Sequence, residues 1–523
     1  MSSTPRGTAG LHDTNPVRFG RPGSGPATAR PAAPRPRLSI ASSEPPIKAQ
    51  HLPAPYPDRS GMLGARLSIG DATAYLMSTP DRVTDWVMYW VFDNGPAGAP
   101  SAIELTEHLT SRVGHLDVLN RHVADVPGHL GNPYWVAGTT SLSARLQIDE
   151  TPTTWSAALA AMATAFDRPL DLQETTWRLT GYTHVSGAPG ATGPSTLLFA
   201  QVSHAVLVGA QIEGMSQALF GADPAPLHIA GLGKPLARPR PVRATLLGAA
   251  RLPYEIVRWQ ARHARHAVAQ TRRRRPPLVT DRTPTLFNIA PDPDRPVERP
   301  QIRVVRPDLT GARGRGVTVT ALGLTAVSIA VQRYLRALDQ NCPDDLAGLV
   351  LVAVGDPRGV LGVNRVNAAQ ADLYPGVVDP AARARAIHAA LQYTRRSQQD
   401  VAAERIETGA ATPFAVYPKL LRRVENLPTP SRWATAVTSV RRVGEHADWS
   451  VTRRPYVFGG HAINVGTDIG LVHSFVGGKD DLTVSAIAAP SVVTQIDTYA
   501  DLLGEAFTEV VTALRTARVA RRP

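Results

Sequence analysis

The sequence predicts an α/β (α+β) protein built as two lobes. Short β-prone runs and amphipathic helical periods interleave along both halves of the chain. A length of 523 residues exceeds what one compact core ordinarily holds. A Pro- and Arg-rich stretch over 276–315 reads as mostly irregular and separates the two structured runs. The expected organisation is a disordered Pro-rich tail over 1–60, an N-terminal lobe over 61–245, a basic helix with its linker or crossover over 246–315, and a C-terminal lobe over 316–523.

The tail holds twelve prolines and few large apolar side chains, too little to offset the entropy of ordering it. Structured sequence starts near Leu67-Ser68-Ile69-Gly70-Asp71. Met88 to Phe92 is a short strand, and Ile103 to Val118 repeats apolar residues at helical spacing. Asn132 to Val136 is a turn followed by a strand. Trp155 to Phe166 is a helix with Trp155, Leu159, Met162 and Phe166 on one stripe and Thr153 or Thr154 as its cap. Arg168-Pro169-Leu170-Asp171 stops it. Trp177 to Tyr182 is a strand, and a Gly/Pro-rich loop joins it to the apolar run Thr196 to Val202 as a hairpin. Gly209 then opens a helical segment carrying Ile212, Met215, Leu219 and Phe220.

Arg251 to Arg275 sets eight arginines and two histidines against a single acid, Glu255. Arg251, Arg258, Arg262 and Arg265 share one helical face, opposite Tyr254, Val257, Ala261, Ala264 and Val268. Two readings stand: a solvated crossover helix between the lobes, or a basic amphipathic helix lying on an anionic membrane or lipid-droplet surface. The second half reads as a helix over Val317 to Leu338, a buried strand over Leu349 to Val354 and a helix over Pro380 to Asp400. Strands over Ile463 to Phe475 and Leu482 to Ile487 follow, and a closing helix runs over Tyr499 to Ala517.

The net charge of +13 is nearly all arginine, since lysine occurs only at 48, 234, 419 and 479. That leaves acidic partners open, but no nucleic-acid motif accompanies the basic stretch and no nucleic acid is expected. The single cysteine, Cys342, excludes an internal disulfide framework and a cysteine metal cluster. No uncharged apolar run reaches membrane-spanning length, and the first thirty residues lack the apolar block of a secretory signal. A cytoplasmic protein, free or peripheral on a membrane, is the expectation. No metal, nucleotide or flavin motif is present, so neither a metal nor a separate cofactor is expected.

The chemistry-bearing position is His204. It follows directly on the Thr196–Val202 strand and precedes the helical segment opened by Gly209. A strand handing over to a helix leaves its last side chain beside unpaired amide N–H groups, and imidazole exchanges protons near neutral pH. The alternative is a core histidine with one satisfied hydrogen bond.

The order of these pieces resembles the wax ester synthase/diacylglycerol acyltransferase family, within the condensation-domain and chloramphenicol-acetyltransferase superfamily, over about residues 67–517. The family carries PLDRxRPLW, a strand and then HHxxxDG. Here Pro169-Leu170-Asp171 and Trp177 keep the first spacing, and Ser203-His204-Ala205-Val206-Leu207-Val208-Gly209 occupies the second. Thr283 to Asn288 is similar to TPLN, Val317 to Ala321 falls where TVND is usual, and Leu361-Gly362-Val363-Asn364-Arg365 is similar to GNR with one extra residue. The sequence departs from the pattern at Ser203 for the first histidine, Val208 for the aspartate, Thr320-Ala321 for the TVND pair and Thr438 to Gly444 for NVPGP.

The resemblance implies two chloramphenicol-acetyltransferase-like lobes with a channel between them. It implies an O-acyltransferase that moves an acyl group from acyl-CoA or a carrier thioester to a lipid alcohol such as diacylglycerol or a fatty alcohol. His204 would be the general base, Ser203 and Thr320 oxyanion or substrate-positioning candidates, and Gly209, Pro169 and Trp177 structural positions of the motifs. Acyl-CoA would be a substrate rather than a cofactor. The altered motif keeps a second expectation alive: a catalytically inactive relative that binds lipid or an acyl carrier through the same channel.

Overall fold

A computed structural model of the chain describes residues 61–138, 141–272, 282–289, 298–354, 362–425, 432–441, 448–466, 468–478 and 481–517. The expected 1–60 tail, the arginines at 273–275, Leu361, and the 442–444 end of the NVPGP-like segment lie outside the described residues.

In chain order the principal elements begin with α1 (Ile69–Met77), β1 (Trp86–Asp93), β2 (Leu146–Asp149), β3 (Trp177–Ser186) and β4 (Ser195–Val202). Next come α2 (Ile212–Phe220), α3 (Pro241–Arg272), β5 (Gln301–Val305), α4 (Val319–Ala337), β6 (Ala347–Ala353) and β7 (Val366–Asp372). The chain closes with α5 (Pro380–Gly409), β8 (Thr435–Arg441), β9 (Ser450–Val451), β10 (Arg454–Ala462), β11 (Leu471–Gly477), β12 (Leu482–Ala488) and α6 (Ile496–Thr516).

Two large sheets organise these elements. The first runs β9–β10–β1–β4–β3–β2, with the short pair Thr153–Thr154 also on β3. The second runs β7–β6–β8–β11–β12–β5. β1 shows why the first sheet sits where it does. Its side chains alternate, so Trp86, Met88, Trp90 and Phe92 enter the core shared with α2, while Val87, Tyr89 and Val91 enter a core shared with the second sheet. A strand buried on both faces reads as one continuous apolar run. Ile302, Val472 and Ile487 supply the second sheet's side of that shared core, and the Tyr89 hydroxyl meets Ser485 Oγ across it at 2.8 Å. The other face of the second sheet packs on α4 and α6.

The connectivity crosses between sheets. β10, from the second half of the chain, pairs antiparallel with β1, placing His461 opposite Met88 and Ala462 opposite Val87. β3 and β4 form the expected hairpin, with Trp177 opposite Val202.

Three expected elements differ. The strand expected over Ile463 to Phe475 begins only at Leu471, in β11: β10 ends at Ala462, and 468–470 bonds the 287–289 segment instead of a strand, Ile289 N–H donating to Asp468 O and Gly470 N–H to Phe287 O. The stretch expected to be irregular over 276–315 includes β5, an edge strand held by β12 from Val305↔Val484 to Gln301↔Ala488. The third is the orientation of α3. Its middle turns inward at Arg251, which is 5% exposed, while Val257 is 65% and Val268 51% exposed. Glu255 draws it in, lying 3.8 Å from Arg251 Nε and accepting from Arg66 Nη1 at 3.3 Å, and Arg262 Nη1 donates to the Glu407 carbonyl at 2.9 Å.

Candidate active site

β4 is buried along its whole length and ends at Val202, opposite Trp86 of β1 and Trp177 of β3. The chain then turns. Ser203 N–H donates to Thr176 O at 2.9 Å, the Ser203 carbonyl accepts Val206 N–H at 3.1 Å, and Ser203 Oγ accepts Ala205 N–H at 3.2 Å. These bonds fix the turn and leave His204, half-buried, at its apex. Gly209 lets the turn close: a Cβ there would come within 2.6 Å of Val440 and 3.4 Å of Trp86.

His204 lines a cavity of about 400 Å³. Ile69, Thr73 and Met77 of α1 form one wall, Asn364 and Arg365 another, and Ile406 and Gly409 of α5 a third. The cavity therefore lies where the N-terminal elements meet segments from the second half of the chain. Its walls are largely apolar, with the His204 imidazole and the Asn364 amide among its polar groups.

A buried hydrogen-bond relay joins Asn364 to the His204 turn. The Asp71 carboxylate, 2% exposed, accepts the Val363 N–H at 2.9 Å, the Asn364 N–H at 3.0 Å and the Asn364 side-chain amide at 3.0 Å. The same Asn364 Nδ2 donates to the His204 main-chain oxygen at 2.7 Å. Gly362 makes the relay sterically possible, because its φ is 127° and a Cβ would lie 2.3 Å from Ser68 Oγ. Burial pushes the Asp71 pKa up, against the pull of these donors.

The His204 ring rests on Trp86, centroids 5.3 Å apart, and Trp86 rests in turn on the ring of His461 at 4.6 Å. Burial lowers the His204 pKa below the ordinary 6.5, opposed in part by its own carbonyl and by the Asn364 side chain. The ring is therefore neutral near pH 7, and its Nδ1 makes no well-aligned hydrogen bond. Burial pushes His461 down to about 3, and neither of its ring nitrogens has a partner.

The other sequence-selected residues fall around this site. Ser203 is 2% exposed, its hydroxyl is engaged with the turn, and it is not among the cavity-lining residues. Thr320 sits in the first turn of α4, its hydroxyl 3.0 Å from Ser439 Oγ on β8, and it too is away from the lining. Trp177 is fully buried beneath the Arg145 guanidinium. Pro169 precedes Leu170, whose N–H donates to Asp85 at 2.9 Å. Asp85 also accepts from Gln201 on β4 at 2.7 Å, tying the Pro169 loop to the strand that presents His204. The sequence reading gave no role to Asp71, Asn364, Trp86 or His461. Asn364 already stood in the GNR-like segment; a single acid in an apolar helix gave no comparable signal.

Residues 363–510 match the family model described as the WS/DGAT C-terminal domain. That segment is similar to the C-terminal domain of that family. It contains Asn364 of the relay and α5 of the cavity wall. No curated protein matches the chain. Among solved structures, the wax ester synthase/diacylglycerol acyltransferase from Marinobacter aquaeolei VT8 aligns over 86% of this chain and 99% of its own, at 14% identity and a TM-score of 0.57. The fold is shared across that length. The condensation domain of the Monacolin K polyketide synthase MokA (TM-score 0.49, 11% identity, 86% of this chain and 97% of that one) is less similar. So is the starter condensation domain of rhizomide synthetase RzmA, solved with C8-CoA (TM-score 0.47, 14% identity, 87% and 95%). The α/β (α+β) class is as expected.

Proposed function

We propose that this chain is an O-acyltransferase that moves an acyl group from acyl-CoA, or a carrier thioester, to a lipid alcohol, with His204 as general base. The observation that carries this reading is a neutral imidazole in the lining of a largely apolar cavity of about 400 Å³, a volume suited to a lipid-sized group. The alcohol oxygen attacks the thioester carbonyl carbon while His204 takes its proton. The tetrahedral intermediate then expels the thiolate, which takes the proton back from His204, leaving an ester and a free thiol. No acyl-enzyme forms, so no nucleophilic side chain is required. Trp86 behind the ring and Asn364 on its carbonyl hold the imidazole in place.

One observation favours the alternative, a lipid- or acyl-carrier-binding protein without turnover: the Ser203 hydroxyl is committed to the turn and supplies nothing to the cavity. A panel of acyl-CoAs and alcohols separates the two, with thiol release and ester formation followed by mass spectrometry. Ester formed in step with thiol supports the enzyme. Saturable acyl-CoA binding with no ester across the panel supports the binding protein.

A further inference from the structure

We propose that the exposed apolar stripe of α3 seats this protein on an anionic lipid surface. The helix spans 32 residues, about 48 Å at 1.5 Å per residue. Val242 (73% exposed), Leu246 (67%), Val257 (65%) and Val268 (51%) recur on one side of it. Pro253, Ala261 and Ala264, also exposed, fill the intervals between them at helical spacing. A solvated crossover helix would show water the opposite face. Here the polar face is used internally, through Arg251, Glu255, Arg66 and Arg262, and the apolar face is left outside.

The chemistry beside the stripe selects its occupant. Arg243 and Arg265 are exposed along its edge, while the helix's acid, Glu255, is turned inward against Arg66. Apolar side chains flanked by arginines fit a bilayer whose headgroups are negative: the hydrocarbon enters the boundary and the guanidinium groups meet the phosphates. A second copy of this chain fits less well, because a twofold pairing of the stripe would bring the same arginine edges toward one another.

The position of the stripe also suits a lipid acceptor. Arg262 ties α3 to the Glu407 carbonyl, and Ile406, Gly409 and Ala410 of that same helix end line the cavity beside His204. The surface stands whether or not acyl transfer occurs, so its test reads binding alone.

The full chain is sedimented with phosphatidylglycerol–phosphatidylcholine vesicles and with phosphatidylcholine vesicles, at low and high salt. Wild type is expected to partition onto the anionic vesicles, less so in salt. Leu246→Glu with Val257→Glu should lower partitioning by about tenfold or more, and the milder Leu246→Ser with Val257→Ser by less. Arg243→Gln with Arg265→Gln should remove most of the salt dependence. Unchanged melting temperatures show that these exposed positions leave the fold intact. Wild type that stays in the supernatant, or stripe variants that sediment like wild type, overturns the proposal. So does a wild-type dimer that the stripe variants split with no change in vesicle binding, which assigns the stripe to a second copy.

Discussion

At the scale of single residues, His204 depends on two neighbours drawn from distant sequence. Asn364 reaches it across 160 positions and Asp71 reaches Val363 across 292, so no local pattern could announce them. His204 and Gly209 were legible because a strand, a polar turn and a helix period stand side by side in the sequence. Asn364→Ala removes the amide that joins Asp71 to the His204 carbonyl. We expect kcat to fall about 10- to 100-fold with KM little changed, and the acidic limb of the pH profile to move. A loss confined to thermal stability would mean that Asn364 only holds the loop. His461 makes a separate prediction. Its folded pKa of about 3 lies below the unfolded value, so it contributes stability that is full above about pH 6.5 and drains as pH falls toward 3. The slope is about 1.4 kcal/mol per pH unit for one such group. His473, also held near 3 by burial, adds a similar slope, while its nitrogens bond Thr435 and Tyr499. His461→Phe should flatten the fall in urea midpoint between pH 7 and pH 4 by one proton's worth; an unchanged slope would show that the ring is protonated when folded.

At the scale of elements, the segment after Gly362 presents the relay. Its φ of 127° and the 2.3 Å approach to Ser68 leave no room for a side chain, so Gly362→Ala should cost about 1–3 kcal/mol or more and reduce turnover with it. A melt and a kcat equal to wild type would show that the loop can shift without moving Asn364. The strands over Met88–Phe92 and Leu482–Ile487 were legible because runs buried on both faces are mostly apolar. α3 was legible as a helix but not in its orientation. Hydrophobic periodicity says which residues share a face; it does not say which face meets protein when long-range partners such as Arg66 and Glu407 compete for the polar one.

At the scale of the whole molecule, β10 leaves the second half of the sequence to pair with β1, and the two sheets bury a common core around Tyr89 and Ser485. The interleaving of strands and helices revealed the class, but a crossing strand has no signature of its own in the sequence. A chain ended after residue 315 would leave β1 paired with β4 alone, open along the edge that β10 covers from Val87 to Phe92, and would expose that core, so it should aggregate or unfold. Circular dichroism and limited proteolysis of that fragment check this; a stable, soluble, folded fragment would show that the first sheet stands alone. The central claim is that His204 takes the proton from the acceptor alcohol. Its most direct test is kcat/KM of His204→Ala against wild type on the best acyl-CoA and alcohol pair, with acyl-CoA affinity measured in parallel. We predict a loss of about 100-fold or more at unchanged affinity, whereas equal rates in the two proteins would contradict the account.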